Sequence, residues 1–160
     1  MSESLYRGIS KKDGFWVYGA YCTHGDRGFI VNVGIDNVGP IAHVVEICPE
    51  TVGQFTGLYD ATKWEDLSPL EQEIFFKDQW CGRQIFEGDI MEAHYDEKHP
   101  EDATRTVVIW SLIGFRNHGA GWYMKQGRYL PDPLECTDAK QNRVIGNIHE
   151  NSDLLMEVLE

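Results

Sequence analysis

The chain has 160 residues, of which 42% are hydrophobic and 12% aromatic, and its 26 acidic residues against 14 basic ones give a net charge of −12. That length fits one domain or two small lobes, and the apolar fraction can offset the entropy of ordering the backbone, which excludes a disordered chain. The acidic balance sets the protein's own field against a polyanion, so direct DNA or RNA binding is disfavoured, and no run approaches the roughly 18 apolar residues of a membrane span.

The amino-terminal Met1-Ser2-Glu3-Ser4 lacks the basic and apolar regions of a secretory signal, so a cytoplasmic location is expected. The first third then reads as short strands punctuated by glycine. Phe15 to Cys22, Gly28 to Ile35 and Ile41 to Cys48 are rich in aromatic and β-branched residues, with turn chemistry at Thr23 to Gly28 and at Asp36 to Pro40. Loops this short favour antiparallel pairing.

Near Asp66 the pattern becomes helical. Ser68-Pro69-Leu70-Glu71 supplies a capping hydroxyl, a proline at the first helical position and a glutamate three residues after the cap. Leu70, Ile74 and Phe75 form an apolar stripe expected to dock, and Gly82 is expected to end the segment.

Strands resume at Ile85 to Ala93, Thr104 to Ile113, Gly121 to Lys125 and Arg143 to His149. Asn151-Ser152-Asp153 then caps a final helix presenting Leu154, Leu155, Val158 and Leu159. The expected fold is mainly β, a β-rich α+β arrangement: amino-terminal antiparallel strands, one inserted helix, a small barrel or roll and a carboxy-terminal helix. The expected divisions are a lobe over 1–60, a helical insert over 61–83 and the barrel with its helix over 84–160, with one compact unit as the alternative.

Three stretches carry a resemblance. Pro49-Glu50-Thr51-Val52-Gly53-Gln54-Phe55-Thr56-Gly57-Leu58-Tyr59-Asp60, Ile85-Phe86-Glu87-Gly88-Asp89-Ile90 and Val144-Ile145-Gly146-Asn147-Ile148-His149-Glu150-Asn151 resemble the successive motifs of YopX proteins, and Tyr6-Arg7-Gly8 and Gly14 to Gly19 fit the same pattern. The resemblance implies phage or prophage origin in a bacterial host cell, and a β-rich fold whose carboxy-terminal part is SH3-like. It implies no agreed activity, so no catalytic residue is carried over. The segment from Ala61 to Arg83 departs from shorter members, which pass from Gly-Leu-Tyr-Asp directly into Ile-Phe-Glu-Gly-Asp.

Chemical constellations are sparse. Cys22, Cys48, Cys81 and Cys136 are isolated, which suits reduced, mostly buried thiols rather than a disulfide framework or zinc site. Cys22-Thr23-His24 offers two donors only, and His94 and His99 lie in an acidic loop bounded by proline, so no tetrahedral metal set forms. No nucleophile elbow surrounds Ser111, and Gly114 to Gly121 lacks the lysine of a phosphate loop. No catalytic residue and no cofactor are therefore assigned, and an enzyme is the minority reading.

Glu87-Gly88-Asp89 reads as a turn or bulge, with glycine supplying an unusual backbone angle and Asp89 bonding nearby amides. Its functional alternative is a cation site of Glu87, Asp89 and Glu92, although Glu92 would face away from the other two along a strand. The acidic cluster Glu92, Asp96, Glu97, Glu101 and Asp102, answered by Lys98, reads as a solvated loop. Trp110 is expected in the core, whereas Trp64, Trp80, Trp122 and Tyr123 are the candidates for an interaction surface.

The expected function is that of an accessory protein acting by protein contact with a host or phage partner, self-associating through an exposed strand edge. Two alternatives are an acidic inhibitor that imitates nucleic acid and a divalent-cation-dependent hydrolase using Glu87, Asp89 and Glu92.

Overall fold

The computed structural model describes residues 5–93, 103–111, 121–126, 132–135 and 139–154. The chain divides into two units, Met1–Phe55 and Thr56–Glu160. It is mostly strand, in antiparallel sheets, as the β-rich expectation requires.

In the first unit β1 (Tyr6–Ile9), β2 (Trp16–His24), β3 (Arg27–Ile35) and β4 (Pro40–Ile47) form a continuous antiparallel meander. β5 (Gly53–Tyr59) begins beside β1, where Gln54 faces Tyr6. The β2–β3 hairpin turns at Gly25-Asp26, between the paired His24 and Arg27, and Gly25 takes a φ of +63° that side chains with a Cβ disfavour. At the β3–β4 turn the Asp36 carboxylate accepts the amides of Val38 (2.8 Å) and Gly39 (3.0 Å), the local bonding expected of a turn aspartate.

The meander curls back on itself at one end. Ser10 bridges Ile47, the Lys11 amide donates to the Glu46 carbonyl at 3.1 Å, and the Cys48 amide donates to the Ile9 carbonyl at 2.8 Å. Ile30 and Ile47 are fully buried inside the curl. Gly8 lies directly against Ile47, where a Cβ would collide with the isoleucine side chain. Outside, Glu46 binds Arg27 through two bonds of 3.0 and 2.7 Å and Lys11 through one of 3.1 Å. Those hydrogen bonds hold its carboxyl down to about 2.

In the second unit β6 (Gln84–Phe86) neighbours β5, and the remaining strands order as β10-β9-β8-β7-β11. These are β7 (Asp89–Ala93), β8 (Thr104–Ser111), β9 (Gly121–Lys125), β10 (Asp132–Pro133) and β11 (Asn142–Asn147). Alternation along the strands separates two apolar clusters. Met91 and Val108 pack with Ile85, Leu134 and Ala139, while Ile90 and Val107 pack with Ile109, Ile148 and Leu154.

The expected strand from Ile85 to Ala93 is broken at Glu87-Gly88, where Gly88 has φ +87° and the Phe86 amide donates to the Asp89 carboxylate at 2.8 Å. The structural reading of that triplet as a turn holds. The carboxy-terminal helix is described only over 152–154, with Leu154 packed on Ile90 and Val107; Leu155, Val158 and Leu159 lie outside the described residues.

The helix after Ser68 is shorter than expected. Helix α1 covers Pro69–Ile74 with Ser68 and Glu71 in a capping box, and Phe75 then turns extended instead of continuing towards Gly82. Its apolar stripe also faces the other way: Leu70 and Ile74 are 67% and 64% exposed. The cause is polar anchoring, since Glu71 pairs with Arg83 at 2.6 Å and the Gln72 side chain donates through Nε2 to the Trp64 carbonyl at 3.1 Å, which turns those residues towards the body.

Trp110 is 46% exposed rather than in the core. It shares the face of Val108 but stands opposite Trp122, two register steps beyond the Val108–Met124 pair, and rests edge-on against Trp122 at 4.8 Å. Cys22 and Cys81 are likewise exposed, against the expectation of buried thiols, and Cys48 is half-buried. Cys136 lies outside the described residues.

Candidate functional site

Asp60, at the end of β5, is buried in the second unit and organises three distant pieces of chain. One carboxylate oxygen accepts the amides of Thr62 (2.9 Å) and Arg83 (2.8 Å); the other accepts the Thr62 hydroxyl (2.9 Å) and the Val144 amide (2.8 Å). Four hydrogen bonds satisfy both carboxylate oxygens, which is what burying such a polar group requires. The Asp60 amide donates in turn to the Arg83 carbonyl at 2.9 Å, and the Ala61 amide to the Asn142 carbonyl at 2.8 Å. Gly82 packs so closely that a Cβ would strike the Asp60 carbonyl oxygen.

A groove of about 860 Å³ opens beside this hub, lined by Thr62, Lys63, Trp80, Cys81, Gln141 and neighbours. Its floor is fixed by the Trp80 indole, which donates to the Thr62 carbonyl at 2.9 Å and packs against Trp64 and Phe75 at 6.3 and 5.2 Å. Three cations line it: Lys63, Lys140 and Arg143. Lys140 donates to the Cys81 carbonyl at 3.0 Å, and Arg143 lies 3.4 Å from Asp66. Its two carboxylates are engaged, Asp60 with the donors above and Glu92 with Arg105 at 2.8 Å.

The sequence-derived candidates fall apart into separate places. Asp89 is buried and bonded to the Phe86 amide, Glu87 is half-buried at the turn, and Glu92 is in the groove wall. Among the described residues, no three His, Cys, Asp or Glu side chains form a group able to hold a metal. Trp64 and Trp80 pack on each other, Trp122 packs on Trp110 and the main cluster, and Tyr123 is 1% exposed. His94, His99 and the acids from Asp96 to Asp102 lie outside the described residues.

The last motif also serves the fold. The Asn147 side-chain oxygen accepts the amides of His149 and Glu150, both at 3.0 Å, while the Asn147 amide donates to the Asn151 side chain at 3.0 Å. A bulge between Val144 and Gly146 brings this turn into place, and Gly146 leaves room for Asn151. Sequence reasoning missed Lys63, Lys140 and Arg143. Nothing local marks them, since the groove exists only once residues 60, 83 and 144 meet.

The geometry defines a β-rich protein of two units whose motif residues hold its own turns together, with a cation-lined groove in the second unit. The chain belongs to the YopX family: the family's model, described as YopX protein, matches residues 64–156. That range begins inside the 61–83 segment expected to be an insert. The crystal structure of protein EF1440 from Enterococcus faecalis is similar in fold, with a TM-score of 0.51, 16% sequence identity and 100% of each chain covered. A search of the curated proteins finds no match. No helix among the described residues is long and apolar enough to cross a membrane.

Proposed function

We propose that this chain is an accessory protein that works by protein contact, and that its first contact is with a second copy of itself through the β3–β4 hairpin. The observation that carries this is the coincidence of apolar exposure with missing charge. Val33, Ile35 and Val44 are 70%, 86% and 62% exposed. From Gly28 to Val45 the sole acidic or basic side chain, with histidine counted as neutral, is Asp36.

β4 stands at the end of the strand order, and its stretch Pro40 to Val45 carries none of the lysines that usually blunt an edge strand. Val44 pairs with Val31 and Ala42 with Val33, so these residues share one sheet face. Two chains of charge −12 repel over most approaches, but meeting here adds almost no like charge. Pairing two edges antiparallel also satisfies a two-fold axis, the commonest oligomer symmetry.

The imitation of nucleic acid draws on net charge alone. Glu46, Glu71, Asp66 and Glu92 are each paired with a lysine or arginine, which weakens any row of negative charge they could form. The hydrolase reading draws no support from Asp89, whose carboxylate is engaged by the Phe86 amide.

Light scattering coupled to gel filtration tests the proposal. The unaltered chain should run as a dimer at micromolar concentration, and Val33→Lys with Val44→Lys should run as a folded monomer. A monomer before substitution, or a dimer that survives both lysines, would remove the reading.

A further inference from the structure

We propose that the groove beside Asp60 binds a small multivalent oxyanion of the phosphate-ester class, held by Lys63, Lys140 and Arg143. The proposal stands apart from self-association, because the groove lies wholly within the second unit and the hairpin within the first.

Charge is the first argument. The chain has 14 basic residues against 26 acidic ones, yet three bases line this groove. Both acids among its lining residues are already engaged, although Glu92 stands opposite Arg143 in strand register as well as opposite Arg105. Asp60 is buried and accepts four hydrogen bonds, and Glu92 pairs with Arg105. Among the described residues neither Lys63 nor Lys140 has a carboxylate within ion-pair distance, and the bond from Lys140 to the Cys81 carbonyl positions its ammonium without neutralising it. Arg143 touches Asp66 only at 3.4 Å, with both side chains partly exposed, a contact that a better acceptor displaces at little cost.

Shape and support are the second argument. A volume of about 860 Å³ lies within the range of small-molecule sites, roughly 300–1,000 Å³. The cations are carried by anchored backbone: Lys63 follows buried Thr62, Lys140 follows fully buried Ala139, and Arg143 lies in β11 beside the Val144 amide bound to Asp60. A single negative charge needs one such partner. Three, one of them a guanidinium whose planar fork matches phosphate oxygens, suit a ligand with several charged oxygens. A long nucleic acid would meet the repulsion of the whole chain, whereas a compact anion samples mainly the local field.

Calorimetric titration of the full chain at low ionic strength, with inorganic pyrophosphate, a nucleoside diphosphate and citrate, tests this. Pyrophosphate should bind at one site, and Lys140→Ala with Arg143→Ala should weaken it at least tenfold while Lys12→Ala leaves it unchanged. Lys63→Ala alone, at an exposed position, should weaken it severalfold and covers the case of a misfolded double variant. Tighter binding of the nucleoside diphosphate than of pyrophosphate would place the phosphate on a nucleotide; the reverse would favour a free phosphate, and either supports the proposal. Undetectable binding of both phosphates, equal affinity for citrate, or affinity untouched by the groove substitutions would overturn it.

Discussion

The Val144 amide donates to the Asp60 carboxylate at 2.8 Å, joining residues separated by 84 positions. Arg83 donates to the same carboxylate from 23 positions away, so one side chain fastens the end of β5, the approach to β6 and the middle of β11. These bonds make Asp60 the structural centre of the groove. They also give the last residue of the motif Gly57-Leu58-Tyr59-Asp60 a structural role.

Replacing that carboxylate should therefore damage stability. Asp60→Ala leaves three amides and a hydroxyl without their acceptor in a buried place, and the expected loss is about 3 to 5 kcal/mol. Urea unfolding measures the loss. Hydrogen exchange at the Arg83 and Val144 amides should quicken well beyond the effect on β8; a loss below about 1 kcal/mol would contradict the role given to this residue.

Two glycines separate backbone strain from collision. Gly57 has φ +84° in open space, so Gly57→Ala should cost about 1 to 2 kcal/mol from the angle alone. Gly82 has φ +117° and its added Cβ would strike the Asp60 carbonyl, so Gly82→Ala should cost more than twice as much. Thermal unfolding of the two variants side by side checks the order.

Glu46 gives a pH test within the first unit. Its carboxyl is held down to about 2 by hydrogen bonds from Arg27 and Lys11. A depressed carboxyl stabilises the folded chain above its unfolded value, near 4.5, and that contribution fades as pH falls from there towards 2. A carboxyl-detected NMR titration should find the low midpoint, and Arg27→Ala should raise it towards the ordinary carboxylate range. An ordinary midpoint in the unaltered chain would mean that the clamp does not persist in solution.

Local chemistry was the readable part of this sequence. Gly25, Asp36 and the Ser68 cap each specify a turn or terminus through contacts within a few residues, and all three appear where expected. The extent and facing of α1 were not readable, because Arg83 and Trp64 hold Glu71 and Gln72 inward and overrule the apolar stripe. Trp110 misled for a related reason: β-alternation predicts a face, not where along the strand the core ends. The groove was invisible, since its cations are scattered singly at 63, 140 and 143 and meet only through the long-range bonds of Asp60. The family resemblance, by contrast, was legible from motif order, and the matched range of residues 64–156 bears it out.

The proposed contact puts β4 against another β4, and hydrogen exchange followed across a dilution series examines that pairing most directly. Amides between Ile41 and Val45 that point away from β3 should be protected at high protein concentration and become fast on dilution, while the Ile30 and Ile47 amides stay slow throughout. Equal rates for the β4 amides at every concentration would contradict the account.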